Sequence, residues 1–146
     1  MEKIIDNVLV VKVGTSTLIE KKSDGSEQLN IDSFRRIGNQ VIRLQNSGNS
    51  IVLVSSGAIT AGMVAVGLKN RPQKSQMGEL QRLASIGWRD ILNAWDDALP
   101  NCTTGGILLT GHDLSLRKER MELLHVTHTM LGHDDVIIAN DNDVIS

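Results

Sequence analysis

The stretch Ile51-Val52-Leu53-Val54-Ser55-Ser56-Gly57-Ala58-Ile59-Thr60-Ala61-Gly62 packs a strand, a tight turn and the start of a helix into twelve residues. Its consecutive apolar residues read as a strand buried on both faces, the pattern of a parallel sheet. Ser55, Ser56 and Gly57 break that run, and small residues from Ala58 onward open a helix. This is half of a βαβ unit. In open parallel sheets ligands bind beyond the carboxyl ends of the strands, where turn amides and a helix N-terminus favour an anion. Gly57 lets the backbone come close to a ligand, and Ser55 and Ser56 supply hydroxyls. The plain alternative is a βα turn in which a serine caps the helix.

Working outward, Val8 to Val13 predicts a second buried strand, interrupted by Lys12 and closed by Gly14-Thr15-Ser16. Either Lys12 snorkels at the end of the sheet, or its ammonium points at a phosphate beside a turn whose amides face the same anion. There is no Gly-x-x-x-x-Gly-Lys-Ser/Thr anywhere, and no Gly-x-Gly-x-x-Gly after the first strand, so neither a Walker loop nor a dinucleotide fingerprint is present. Glu20 to Gln28 is polar and contains glycine, which predicts an exposed hairpin or loop. Asn30 then caps a helix with Ile31, Phe34, Ile37, Val41 and Leu44 at helical spacing, ending at Ser47-Gly48. A right-handed crossover through this helix makes the first two strands parallel, so the Gly14 and Gly57 turns open on one cleft.

Past Gly62 a short helix runs to about Gly67, and Lys69 to Lys74 is an exposed link. From about Ser75 to Trp95 a second helical stripe comprises Met77, Leu80, Leu83, Ala84, Ile91, Ala94 and Trp95. Gly78 and Gly87 within it predict a kink or a close backbone approach, and Trp88 and Trp95 read as core or interface residues. Gly106 to Thr110 is a third strand. Leu114 to about Leu131 is a helix with Met121, Leu124, Thr127 and Leu131 on one face. Glu122, His125 and His128 include the Glu-x-x-His spacing of di-iron bundles, but the second copy that such a site requires is missing. They read as a solvated face, and no residue is assigned to a metal. Val136 to Ala139 is a fourth strand ending in Asn140-Asp141-Asn142-Asp143. In extended backbone Asn140 and Asn142 face one way, Asp141 and Asp143 the other. Amides and carboxylates at the carboxyl end of a buried strand suit an amino-acid ligand, a carboxylate accepting from its ammonium and an amide bonding its carboxylate. An Asx-rich turn is the alternative.

The chain has 146 residues, 40% of them hydrophobic and 22% charged, with a net charge of -2, which fits one domain and supplies no basic excess for nucleic acid. Phe34, Trp88 and Trp95 are its only aromatic residues among Phe, Trp and Tyr, too few to stack bases along a strand. A lone Cys102 cannot form an internal disulfide. Met1-Glu2-Lys3 leads straight into a strand without a signal-peptide core, so a cytoplasmic location is expected. No apolar run approaches the roughly 20 residues of a membrane span, so no membrane partner is expected.

Taken together, Val10-Val11-Lys12-Val13-Gly14-Thr15-Ser16, Val54-Ser55-Ser56-Gly57-Ala58-Ile59 with Ala61-Gly62, Leu108-Leu109-Thr110 and Ile137-Ile138-Ala139-Asn140-Asp141-Asn142-Asp143 run in the order and spacing of the amino-acid kinase family. The chain resembles that family over essentially its whole length, and within it the members that phosphorylate glutamate. The resemblance implies an α/β fold, a three-layer α/β/α sandwich with a mainly parallel sheet, truncated here after about four strands. It implies ATP-dependent transfer of phosphate to the side-chain carboxylate of L-glutamate, the first step of proline biosynthesis, with Mg²⁺ as cofactor. Carried over by position, Lys12 is catalytic and neutralises the transferring phosphate, and Gly14, Thr15 and Ser16 belong with it on the phosphate and ATP side. Ser56, Gly57, Ala58, Asn140 and Asp143 then hold the glutamate. The family's ATP-binding lobe is not in this chain, so residues 1–146 are expected to form the acceptor-binding lobe, catalytically incomplete alone and associating as a homo-oligomer. The alternative is a non-catalytic module that binds glutamate or proline for regulation, or a degenerate kinase fragment.

Overall fold

The computed structural model describes residues 5–145, so the expected Met1-Glu2-Lys3 start lies outside the described residues. Strand β1 (Val8–Val13) leads into a single helical turn, α1 (Thr15–Leu18). The polar stretch after it forms an antiparallel hairpin of β2 (Ile19–Lys21) and β3 (Glu27–Leu29), as its composition predicts. Helix α2 (Ile31–Asn46) starts where Asn30 places its side-chain oxygen 3.0 Å from the Ser33 amide, and it stops at Ser47, followed by Gly48 at φ 91°. It returns the chain to β4 (Ser50–Ser55), which pairs parallel with β1 from Val8 opposite Ser50 to Val13 opposite Ser55.

Next come α3 (Ala58–Val66), α4 (Met77–Ala98), β5 (Thr104–Leu109), α5 (Gly111–Ser115), α6 (Arg117–Gly132) and β6 (Val136–Asp141). The four parallel strands are ordered β1-β4-β6-β5. Alternate residues of the central strands serve two cores. Ile51, Leu53, Val136 and Ile138 pack with Phe34, Val41, Ile91 and Trp95 of α2 and α4, whereas Val52, Ile137 and Ala139 pack with Leu131 and Met130 of α6. Helices therefore cover both faces of a mainly parallel sheet, as the sequence pattern requires.

Three expectations need correction. The Val8–Val13 run is an edge strand and not a buried one: Val8 is 46% exposed and Val10 66%. The core under helix α6 reaches Val52 of β4 but no residue of β1, so the face of β1 that carries Val8, Val10 and Lys12 is open. The apolar stripe of the Leu114–Leu131 region is not a buried face, since Met121 and Leu124 are 57% and 55% exposed and only Leu131 of α6 is buried. That region is also two helices, broken at Leu116, whose ψ of 134° is extended. Of the kink and the close backbone approach that Gly87 offered, the close approach forms. A Cβ at Gly87 would land on the Ala58 carbonyl and the Gly62 amide, and one at Gly62 on the Leu83 carbonyl. Glycine at both positions lets α3 and α4 cross nearly backbone to backbone. Gly78, by contrast, faces open space.

Candidate site at the carboxyl ends of the strands

β1, β4 and β6 all release their chains on the same edge of the sheet, and a cavity of about 240 Å³ lies there. Thr15, Ser56, Gly57, Ala58, Ile59, Thr60, Asn140, Asp141, Asp143 and Arg71 line it. Each wall has a local cause. Ser56 donates its amide to the Val13 carbonyl at 3.0 Å, tying the β4 turn to the end of β1. Gly57, at φ 103°, is the N-cap of α3 and makes no side-chain cap, so the serine cap of the plain alternative does not form. The first amides of α3 are left without intrahelical acceptors and border the cavity. The close packing of Gly87 on Ala58 fixes where this helix begins.

Ser55 does not reach the cavity. It is fully buried, and its hydroxyl accepts a 2.8 Å hydrogen bond from the Trp95 indole. Trp95 in turn packs edge-on against Phe34, with ring centroids 4.7 Å apart. Of the serine pair, one anchors the strand end and the other faces the ligand space.

The Asn140-Asp143 segment departs from simple alternation. β6 stops at Asp141, and the Asn142 side chain then accepts from the Val144 amide at 3.3 Å in an Asx turn. That turn brings Asp143 back to the cavity beside Asn140 and Asp141, while Asn142 does not line it. Asn140 is 8% exposed, and its side chain makes no hydrogen bond among the described residues, so its amide is available to whatever occupies the cavity. Burial holds the Asp143 carboxyl above the ordinary aspartate value, Asp141 pushes it the same way, and the Arg71 charge draws it partly down.

Thr15, Ser56, Gly57, Ala58, Asn140 and Asp143 are thus brought together, whereas Lys12, Gly14 and Ser16 do not line the cavity. Lys12 is exposed on the open face of the edge strand β1, opposite Val54. Sequence reasoning missed Arg71, which sits in the exposed link yet reaches the cavity, and Thr60. Arg71-Pro72 between two helices was its only local signal. Among the described residues no group of three His, Cys, Asp or Glu side chains is placed to hold a metal ion, and no helix is long and apolar enough to cross a membrane.

Known proteins resemble this sequence. The profile of the amino acid kinase family matches residues 7–146. Glutamate 5-kinase of Thermus thermophilus is 34% identical over 140 residues, 94% of this chain and 36% of the relative. Glutamate 5-kinase of Aromatoleum aromaticum is 37% identical over 139 residues, again 94% of this chain and 36% of the relative. Glutamate 5-kinase of Carboxydothermus hydrogenoformans is 30% identical over 150 aligned positions, 100% of this chain and 39% of the relative. The chain thus spans little more than a third of the length of these curated relatives. With a parallel sheet whose strand ends gather the predicted glycine turn and the Asn-Asp cluster, and with the family profile running through all of them, the chain belongs to the amino acid kinase family.

Proposed function

We propose that this chain is the acceptor-binding lobe of a glutamate 5-kinase, which transfers the terminal phosphoryl group of ATP to the side-chain carboxylate of L-glutamate. One carboxylate oxygen attacks the γ-phosphorus, the bond to the β-phosphate oxygen breaks, and glutamyl 5-phosphate and ADP leave. On this reading the reaction is the first step of proline biosynthesis. The observation that carries the proposal is the cavity in which an uncapped helix N-terminus faces Asn140 and Asp143. The amides of α3 offer donors to an anion, the Asn140 amide offers both a donor and an acceptor, and Asp143 offers an acceptor for an ammonium.

The reaction brings two anions together, so catalysis consists mainly of charge neutralisation and positioning. The carboxylate needs no general base to attack. Lys12, Gly14 and Ser16 do not line the cavity that would take the amino acid, and this supports assigning them to the phosphoryl side. Mg²⁺ would be held mainly by the phosphates of ATP with one or two carboxylates and waters, and it would neutralise charge on the transferring phosphoryl group. The open face of edge strand β1 supports a homo-oligomer.

Calorimetric titration of the chain with L-glutamate tests the reading. Asn140→Ala and Asp143→Ala each weaken binding by about 10-fold or more, the loss of one charge-assisted hydrogen bond. Lys12→Ala leaves it unchanged, and in a polypeptide of the relatives' full length it lowers kcat while sparing the glutamate KM. No glutamate binding by the unmodified chain, or full binding by Asp143→Ala, would overturn the assignment.

A further inference from the structure

Arg71 belongs to an exposed link and still borders the candidate site. A second cavity, of about 350 Å³, adjoins the first and is lined by Ile59, Arg71, Pro72, Lys74, Met77, Leu80 and Asp143. Ile59, Arg71 and Asp143 are the residues shared by the two cavities, so Arg71 and Asp143 stand on a common rim between them. Within the described residues Arg71 has no carboxylate within 4.0 Å, so its guanidinium is not locked in an ion pair. Its positive charge is nevertheless close enough to act on the Asp143 carboxyl. Ile59, Pro72, Met77 and Leu80 provide an apolar surface along which its stem can lie.

From this placement we infer that Arg71 receives the α-carboxylate of the amino-acid substrate while Asp143 receives its α-ammonium, so that the two side chains together read the zwitterionic end. The inference rests on the acceptor-lobe reading above. A free guanidinium beside a carboxylate complements a zwitterion, and a guanidinium's planar fork can hold a carboxylate through two parallel hydrogen bonds. The polarity of the cavity agrees. With the zwitterion at the Arg71 and Asp143 rim, the uncapped start of α3 and Thr15 remain on the lining to meet the side-chain carboxylate.

Three ligands that differ by one group separate the roles: L-glutamate, glutarate, which lacks the ammonium, and 4-aminobutanoate, which lacks the α-carboxylate. Affinities are measured by titration calorimetry, with competition for the weaker ligands. Arg71→Ala is expected to weaken L-glutamate and glutarate by about 10- to 100-fold and to leave 4-aminobutanoate unchanged. Asp143→Ala gives the opposite pattern, weakening L-glutamate and 4-aminobutanoate but not glutarate, and Arg71→Lys recovers part of the loss. If the unmodified chain binds L-glutamate but Arg71→Ala weakens all three ligands alike, or none of them, the inference about Arg71 fails and the acceptor-lobe reading stands. If the unmodified chain binds none of the three, both fail.

Discussion

The α3–α4 pair and the α5–α6 pair are both helical excursions between strands of one sheet, yet they are held in opposite ways. α3 and α4 meet through Gly62 and Gly87 with hardly any side chain between them, and the partners of that contact include Ala58, the first residue of the helix that faces the site. α5 is fastened locally, by a capping box in which the Thr110 hydroxyl accepts from the Asp113 amide and the Asp113 carboxylate accepts from the Thr110 amide and hydroxyl. α6 buries only Leu131 and leaves Met121, Leu124 and Val126 in the open. Where the backbone must present unpaired amides at a fixed place, long-range packing leaves no room for a side chain. Where nothing is presented, local caps suffice.

The strongest way to break this contrast is Gly87→Ala. Its Cβ meets backbone atoms, which cannot rotate away, so we expect a loss of about 3 kcal/mol or an unfolded chain by urea denaturation. Gly78→Ala in the same helix meets nothing and should stabilise by about 0.5–1 kcal/mol, the ordinary gain of replacing a helical glycine. Equal effects at the two glycines would refute the backbone-contact account. Trp95→Phe follows in size: it keeps most of the buried ring but removes the indole donor to Ser55, at a cost of about 1–3 kcal/mol for the unpaired buried hydroxyl and lost volume.

Asp143→Asn sharpens the comparison at the site itself. The folded chain raises the Asp143 pKa, so it holds that proton more tightly than the unfolded chain does. Stability from this group therefore declines as pH rises through the raised value, and the deprotonated carboxylate is unfavourable at neutral pH. The variant should show a higher Tm than the parent at pH 7, and the difference should vanish at a pH below the ordinary aspartate value. On the acceptor-lobe reading the same substitution should weaken L-glutamate binding. A variant that is neither more stable at neutral pH nor weaker in binding would remove Asp143 from the site. The smallest effect belongs to α6: Leu124→Lys should change the stability of the dilute chain by no more than about 0.5 kcal/mol, because the side chain is already 55% exposed. A larger loss in urea would mean that the α6 face is covered.

The sequence by itself determined several features that depend on near neighbours. The Asn30 cap, the Ser47-Gly48 stop, the Glu20 to Gln28 hairpin, the parallel β1–β4 pair and the glycine turn at Gly57 stand where periodicity and turn chemistry place them. The Asn-Asp cluster at the end of the fourth strand was legible for the same reason, an abrupt change of chemistry after a buried run. Only the tertiary structure decided what lies across from each residue. An apolar strand reads alike at the centre and at the edge of a sheet, so the exposure of Val8 and Val10 follows from strand order alone. Ser55 and Ser56 are equivalent in the sequence, and the Trp95 indole, forty positions away, separates them. Arg71 in a polar link has no periodicity to betray it. It enters the site because the link between α3 and α4 passes the Asx turn that returns Asp143, a coincidence of two loops that no local pattern encodes.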